Sequence, residues 1–439
     1  MGGTAANTNS TKTVVVLGAA YGGAHAAQIL ARDVPEGWKV ILIDRNSHAN
    51  HVYVMPRFAV LPGHEYKAFI PYTHVFREDS PKPEHIFLHA EVLSLRPNSL
   101  TLSRTFPELG IPTHTLAFDY AIYALGSHLP PPLNLWGSPA GQVEYYGLKS
   151  EGCEWFKEKQ KQIKEAPTVL VVGGGALGIQ FATDIKSIYP EKTVTLLHSR
   201  LRLLPRFDEK MHEEIRDACE KLDVKLILGE RLDLDSVDDG KAKVNAAGQK
   251  IVRTVTGREI AADLLLLCTG QAPNTELLAN MDPATVNENN KLVRVLKTLQ
   301  IDTSRSSESV SEALENLSLD ASKTKEVRVT YPHIFAIGDA ADAFGAIPAG
   351  HNAYAQGEVA AKNVVTLIKN AVAGADAQEE LEQYTPKGPA IKVSLGLTDT
   401  VYQVGGTIGK KTGGQPDLQA ASMWPLFGIK VEKDEDMRV

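Results

Sequence analysis

The run Thr168-Val169-Leu170-Val171-Val172 leads straight into Gly173-Gly174-Gly175-Ala176-Leu177-Gly178. A helical stretch from Ile179 to about Ile188 follows, then a second β-branched run over 193–197. The same plan stands near the start of the chain. Residues 13–16 end in Gly18-Ala19-Ala20-Tyr21-Gly22-Gly23, a helical stretch covers 24–31, and a strand over 40–43 closes on Asp44. Each copy reads as strand, glycine turn, helix, strand. One such turn is weak evidence of anything; two of them, 155 residues apart and each between a strand and a helix, decide the fold class. The first glycine of each turn (Gly18, Gly173) permits a tight reversal. The second position (Ala20, Gly175) lets backbone approach a pyrophosphate, and the third (Gly23, Gly178) lets helix and strand pack closely. The helix N-terminus then presents unpaired N–H groups to phosphate. Ala20 is a methyl larger than glycine and is accommodated if its φ stays negative. The expectation is an α/β chain with two Rossmann-like dinucleotide-binding domains and a small β-rich C-terminal region.

The two copies differ at the end of their second strands. Asp44, 26 residues after Gly18, can accept from both hydroxyls of an adenosine ribose and would repel a 2′-phosphate, so the first site reads as FAD. The second copy ends in His198-Ser199-Arg200, without an acid. That leaves room for a 2′-phosphate, which Arg200 can pair with, so this site reads as a nicotinamide nucleotide with NADPH at least tolerated. A solvated loop arginine is the competing reading of Arg200. Two further apolar runs end in small-residue turns, at Gly126-Ser127 and at Thr269-Gly270, as a chain does when it crosses back over a nucleotide. The run His333-Ile334-Phe335-Ala336-Ile337 delivers Gly338 and Asp339 to its end, where the carboxylate can accept from a ribityl hydroxyl.

Composition narrows the field. A chain of 439 residues suggests two or three domains, and 43% apolar residues suffice for large cores. A net charge of −7 argues against nucleic acid as a partner. No apolar run approaches the roughly 20 residues that span a bilayer, and residues 1–11 lack the apolar core or arginines of a targeting segment. The three cysteines, Cys153, Cys219 and Cys268, are too far apart for a CxxC pair or a zinc knuckle, so no metal site is expected. A reduced, cytoplasmic protein is the simplest expectation.

The order of motifs resembles that of the two-dinucleotide-domain pyridine nucleotide flavoproteins related to glutathione reductase, over almost the whole chain. The segment from His51-Val52-Tyr53 through Arg57 to Phe69-Ile70-Pro71-Tyr72 looks like the apoptosis-inducing-factor-like, ferroptosis-suppressor-protein branch. So does the tail from Val393-Ser394-Leu395-Gly396 through Gly405-Gly406 to Trp424. The resemblance implies noncovalent FAD and an NAD(P)H-dependent oxidoreductase that typically reduces quinones. It also associates the Arg57 position and the strand near Val92 with FAD. Two departures stand out. Gln180 occupies the place where many relatives carry a glutamate facing the nicotinamide nucleotide. Met1-Gly2-Gly3-Thr4-Ala5-Ala6 keeps Gly2 but has Ala6 where an N-myristoylation motif needs Ser or Thr, which leaves peripheral membrane contact open.

These readings place an FAD-binding domain at 1–140 and 271–370, a NAD(P)H-binding domain at 141–270, and at 371–439 a C-terminal region that closes the flavin site or forms an interface. The Ser-rich stretch 302–325, around a short helix at 310–319, reads as a surface insertion. No side-chain nucleophile is required, because the cofactors carry the chemistry. His351 and Gln356 are the candidates to line the acceptor side, with a helix-capping role as the alternative for His351. Lys67 is the candidate charge near the pyrophosphate or the isoalloxazine, with a plain surface lysine as the alternative. The favoured function is electron transfer from NAD(P)H through flavin to a quinone-type acceptor. A flavin enzyme acting on one dedicated metabolite and a slow-turnover redox sensor are the competing readings. Oligomeric state is open.

Overall fold

The computed structural model describes residues 11–76, 84–129, 133–134, 145–237, 243–304, 330–374 and 377–439. The chain divides into two compact units, one made of 1–47, 72–127 and 272–387, the other of 48–71, 128–271 and 388–439.

The first unit is built on a six-stranded sheet in the order Gln300–Ile301, Tyr331–Ala336, Tyr120–Tyr123, Lys12–Leu17, Trp38–Asp44, Ile86–His89. All neighbours pair in parallel except the edge strand Gln300–Ile301, which runs antiparallel to Tyr331–Ala336. Val14, Val15, Val16 and Leu17 are fully buried, as a strand covered on both faces must be. Lys12–Leu17 lies between strands reached in opposite directions, so its carboxyl end is a topological switch point, where ligands of open α/β sheets bind. Helices Gly22–Asp33 and Gly350–Asn370 meet backbone to backbone. A Cβ on Gly22 would fall 2.4 Å from the Ala353 carbonyl oxygen, and one on Gly357 2.5 Å from the Gly22 carbonyl oxygen. A small antiparallel sheet, Val92–Arg96, Ser99–Leu102 and Thr115–Ala117, completes this unit.

The second unit repeats the plan in a four-stranded parallel sheet, ordered Lys225–Leu228, Thr193–His198, Thr168–Val172, Leu264–Leu267. Its switch point is the carboxyl end of Thr168–Val172. A continuous core joins Val169 and Val171 of the sheet to Ile179, Ala182 and Ile185 of helix Ala176–Ile188. Phe58 and Phe69 from the 48–71 segment and Val393, Leu395 and Val401 from the tail belong to the same core. Both dinucleotide folds expected from the glycine turns are therefore present.

Two expectations change. Residues 48–71, read as part of the first domain, belong to the second unit, because Phe58 and Phe69 are core residues there. The tail is no separate region. From residue 388 on it joins the second unit, where the antiparallel strands Ala390–Leu395, Asp399–Val404 and Thr407–Lys411 contribute to that same core. Over residues 293–301 only Gln300–Ile301 forms a strand, with isolated bridges at Val293 and Val295. The short helix at 310–319 and the Gly2/Ala6 motif lie outside the described residues.

Candidate cofactor-binding sites

In the first unit the turn after Lys12–Leu17 is fixed by close approach. Gly18 has φ +94°, and a Cβ there would meet the Ala124 carbonyl oxygen at 2.4 Å; a Cβ on Gly23 would meet the Gly18 carbonyl oxygen at 1.8 Å. Ala20 stays out of the left-handed region, while Tyr21 enters it at φ 42°. Asp44 Oδ2 accepts from the Ala19 N–H at 2.8 Å and Oδ1 from the Asn46 N–H at 2.7 Å, so the carboxylate clamps the turn from the next strand. Burial pushes its carboxyl above the usual value against the pull of these donors. Helix Gly22–Asp33 carries no acid in its first turn, which leaves its N-terminal N–H groups suited to an anion.

Gly126 and Gly338-Asp339 follow the neighbouring strands Tyr120–Tyr123 and Tyr331–Ala336 of the same sheet. Gly126 takes φ +63° with open space where a Cβ would stand, and its carbonyl accepts from Asn274 N–H at 2.9 Å. Gly338 takes φ +72° and donates its N–H to Gln356 Oε1 at 2.7 Å. Asp339 Oδ2 accepts from Ser127 Oγ at 2.9 Å, which ties the end of Tyr331–Ala336 to the turn after Tyr120–Tyr123. Gln356, expected to line the acceptor side, is buried and braces the Gly338 backbone instead. His351 is exposed in the first turn of helix Gly350–Asn370, and partial burial together with the Lys387 charge holds its imidazole below the ordinary value. Val92 is half-buried at the start of its strand, paired with Leu102.

In the second unit Gly173 takes φ +120°, with the Cys268 carbonyl oxygen 2.7 Å from where a Cβ would be, and a Cβ on Gly178 would sit 1.9 Å from the Gly173 carbonyl oxygen. Gly175 has nothing within 4 Å of its missing Cβ. The first and third glycines thus serve the fold, and the middle one leaves a space that a phosphate can enter. Helix Ala176–Ile188 also starts without acids. Arg200 is exposed just past the end of Thr193–His198, and Gly270 takes φ +79° after Leu264–Leu267. Gln180 donates from Nε2 to Ser394 Oγ at 3.0 Å, so its amide bonds the tail strand.

Arg57 and Lys67 have other commitments. The Arg57 guanidinium is fully buried, with Nε 2.9 Å from Asp184 Oδ2 and its outer nitrogens donating to the carbonyls of Leu397 (3.1 Å), Pro416 (2.6 Å) and Gly396 (2.5 Å). Burial pushes the Asp184 carboxyl up to about 6 against the pull of Arg57. Arg57 thereby ties the 48–71 segment to helix Ala176–Ile188 and to the tail, which is a structural role within the second unit. Lys67 Nζ lies 2.9 Å from Asp417 and 2.6 Å from Asp434. Burial opposes its charge, but the two carboxylates outweigh it and hold the ammonium above its usual value. Tyr66 donates to the same Asp434.

The family model for pyridine nucleotide-disulphide oxidoreductases matches residues 12–303. The chain belongs to that family. Among similar proteins, Fe-regulated protein 8 of Mycosarcoma maydis is 40% identical over 428 residues, 97% of each chain. Mouse ferroptosis suppressor protein 1 is 26% identical over 400 residues, 90% of this chain and 88% of its own. The solved reduced CoADR-RHD of Bacillus anthracis superposes with a TM-score of 0.61 at 18% identity, over 89% of this chain; the chain spans only 61% of that structure's length. Water-forming NADH oxidase of Lactobacillus brevis bound to NADH gives 0.57 at 20% identity, over 89% of this chain and 74% of its own. These two likenesses concern the fold. Family membership makes the protein an NAD(P)H-dependent flavin oxidoreductase, with FAD and NAD(P)H as its cofactors. Among the described residues no helix is long and apolar enough to cross a membrane, and no cluster of side chains could hold a metal ion.

The sequence reading placed Ser127, Gly174 and His198 in their turns without the contacts they make, and did not name Asn46. For His198 a signal was present: it ends the second strand of its copy, as Asp44 does in the first.

Proposed function

We propose that the protein transfers electrons from NAD(P)H by way of FAD to a quinone-class acceptor, with no thiol relay. The observation that carries this reading is the state of the cysteines. All three are unpaired, Cys153 and Cys268 half-buried and Cys219 buried. Burial raises all three thiols, Cys219 to about 12. A disulfide-exchanging enzyme needs an accessible thiolate with a neighbouring partner thiol. These cysteines offer neither, so within this family the acceptor must meet the flavin directly. Bound FAD supplies a two-electron carrier able to accept hydride from the nicotinamide and to hand the electrons to a conjugated dicarbonyl. The chain's own part is to bind and orient. On this reading Gly18, Ala20, Gly22, Gly23, Asp44, Gly126, Gly338 and Asp339 cradle the FAD. Gly173, Gly175, Gly178, Gly270 and Arg200 cradle the nucleotide, with NADPH used at least as readily as NADH. The similarity to ferroptosis suppressor protein 1 supports an acceptor of this kind and leaves peripheral membrane contact within the reading.

The test is NAD(P)H oxidation by the purified yellow protein with oxygen alone, with a water-soluble quinone, and with small disulfides. A rate at least about tenfold higher with the quinone, and none above background with disulfides, is expected. Turnover of a disulfide, or a quinone rate no higher than the oxygen rate, would sink the proposal; the latter favours the redox-sensor reading.

A further inference from the structure

Both glycine turns are clamped by the residue that ends the second strand, and the two clamps differ chemically. In the first unit Asp44 accepts from the N–H of Ala19, the residue after Gly18. In the second unit His198 Nδ1 accepts from the N–H of Gly174, the residue after Gly173, at 3.0 Å. The ring also packs on that glycine, since a Cβ on Gly174 would lie 2.6 Å from His198 Cγ and 2.6 Å from Leu203 Cδ2. The Gly174 carbonyl is fixed from the other side, accepting from Leu204 N–H at 3.0 Å. Gly174, at the start of the turn, is thus held at its N–H by an imidazole and at its carbonyl by the loop that follows.

We propose that His198 is the positioning residue of the nicotinamide-nucleotide turn, and that it holds the turn only as a neutral imidazole, so that nucleotide affinity falls on acidification. The proposal rests on reading this turn as the nucleotide site. With Nδ1 accepting, the single ring proton sits on Nε2. Protonation adds an N–H at Nδ1 that points at the Gly174 N–H, and the bond is replaced by two opposed donors.

The surroundings fix the sign. Burial holds the imidazole below its ordinary value of 6.5, opposed by the main chain of Arg202, while the Arg200 and His212 charges add to the burial effect. His212 approaches from helix Glu209–Lys221, where its Nδ1 accepts from Leu203 N–H at 3.1 Å. Glu230 bonds the His198 carbonyl with its own N–H, but its carboxylate is taken up by Thr254, Thr256 and Arg258. The neutral clamp is therefore complete above the ordinary histidine range and lost as pH falls below it.

The experiment uses the FAD-loaded protein and NADH, which lacks the 2′-phosphate that itself titrates near pH 6. Steady-state KM and kcat are measured from about pH 8 to about pH 5, with FAD content checked at each point. For the native chain KM should rise roughly three- to tenfold toward acid, the loss of one hydrogen bond, with kcat at saturating NADH little changed. His198→Asn carries an acceptor oxygen in the Nδ1 place and no titration; its KM should stay near the native high-pH value across the range. His198→Leu should show the raised KM at every pH. A native KM independent of pH overturns the proposal, and so does an Asn variant that keeps the acid rise. A native protein that oxidises neither NADH nor NADPH at any pH overturns the nucleotide-site reading itself, an outcome distinct from a flat profile.

Discussion

Asp339 carries the flavin-site assignment at the scale of one side chain. Its Oδ2 accepts from Ser127 Oγ at the carboxyl edge of the first unit's sheet, where ligands of such folds bind. A charge-assisted bond to a ribityl hydroxyl is worth about 1.5–3 kcal/mol, so Asp339→Ala should weaken FAD binding roughly ten- to a hundredfold. The variant is expected to purify folded but short of flavin. Flavin content per mole and melting temperature, measured together, check this. Full occupancy with a lowered melting point would mean that the carboxylate only braces Ser127. Asp44 and Asp339 could be read from the sequence because each ends an apolar run, and the end of a buried parallel strand is a defined place in such a sheet. Arg57 could not. Its partner Asp184 lies in the middle of a helix, where nothing local distinguishes a buried carboxylate from a solvated one; only the long-range pairing does.

Helix Gly22–Asp33 and helix Gly350–Asn370 show the same limit for elements. The glycines of the first turn were legible as turn residues, but Gly22 has a second duty, set by a helix more than three hundred residues later. Gly357→Ala should test it. Alanine favours helix by about 1 kcal/mol over glycine, yet its Cβ would stand 2.5 Å from the Gly22 carbonyl oxygen, a main-chain atom that cannot rotate away. Overpacking of that kind costs roughly 1–3 kcal/mol, and the shift is transmitted to the flavin turn, so reduced flavin content and a lower melting temperature are expected together. Gly374→Ala, with nothing within 4 Å of the added methyl, serves as the control and should change stability by less than about 0.5 kcal/mol. The strand–turn–helix units were readable because their signal is local. The placement of 48–71 and of the tail in the second unit was not, because Phe58, Phe69, Val393 and Val401 declare a core without saying whose.

At the scale of the molecule, cofactor and stability are linked. A ligand that binds only the folded chain stabilises it by mass action, about 2.7 kcal/mol at a hundred times its Kd. Protein stripped of flavin should therefore melt lower, and FAD should restore the melting temperature where FMN does not, because only FAD brings an adenosine ribose to Asp44. Restoration by FMN would remove Asp44 from the site. The first unit's sheet has one more implication. Lys12–Leu17 pairs with Tyr120–Tyr123, and Tyr120–Tyr123 pairs in turn with Tyr331–Ala336. On a ribosome adding about 5–20 residues per second, the last of these strands emerges roughly 15 to 60 s after the first. For roughly 10 to 40 s of that interval, once it has itself been made, Tyr120–Tyr123 has an open edge, a template for any other extended chain. The second unit's sheet, by contrast, is complete once Leu264–Leu267 has been made. The sheet of the flavin half is thus the one that stays open longer during synthesis.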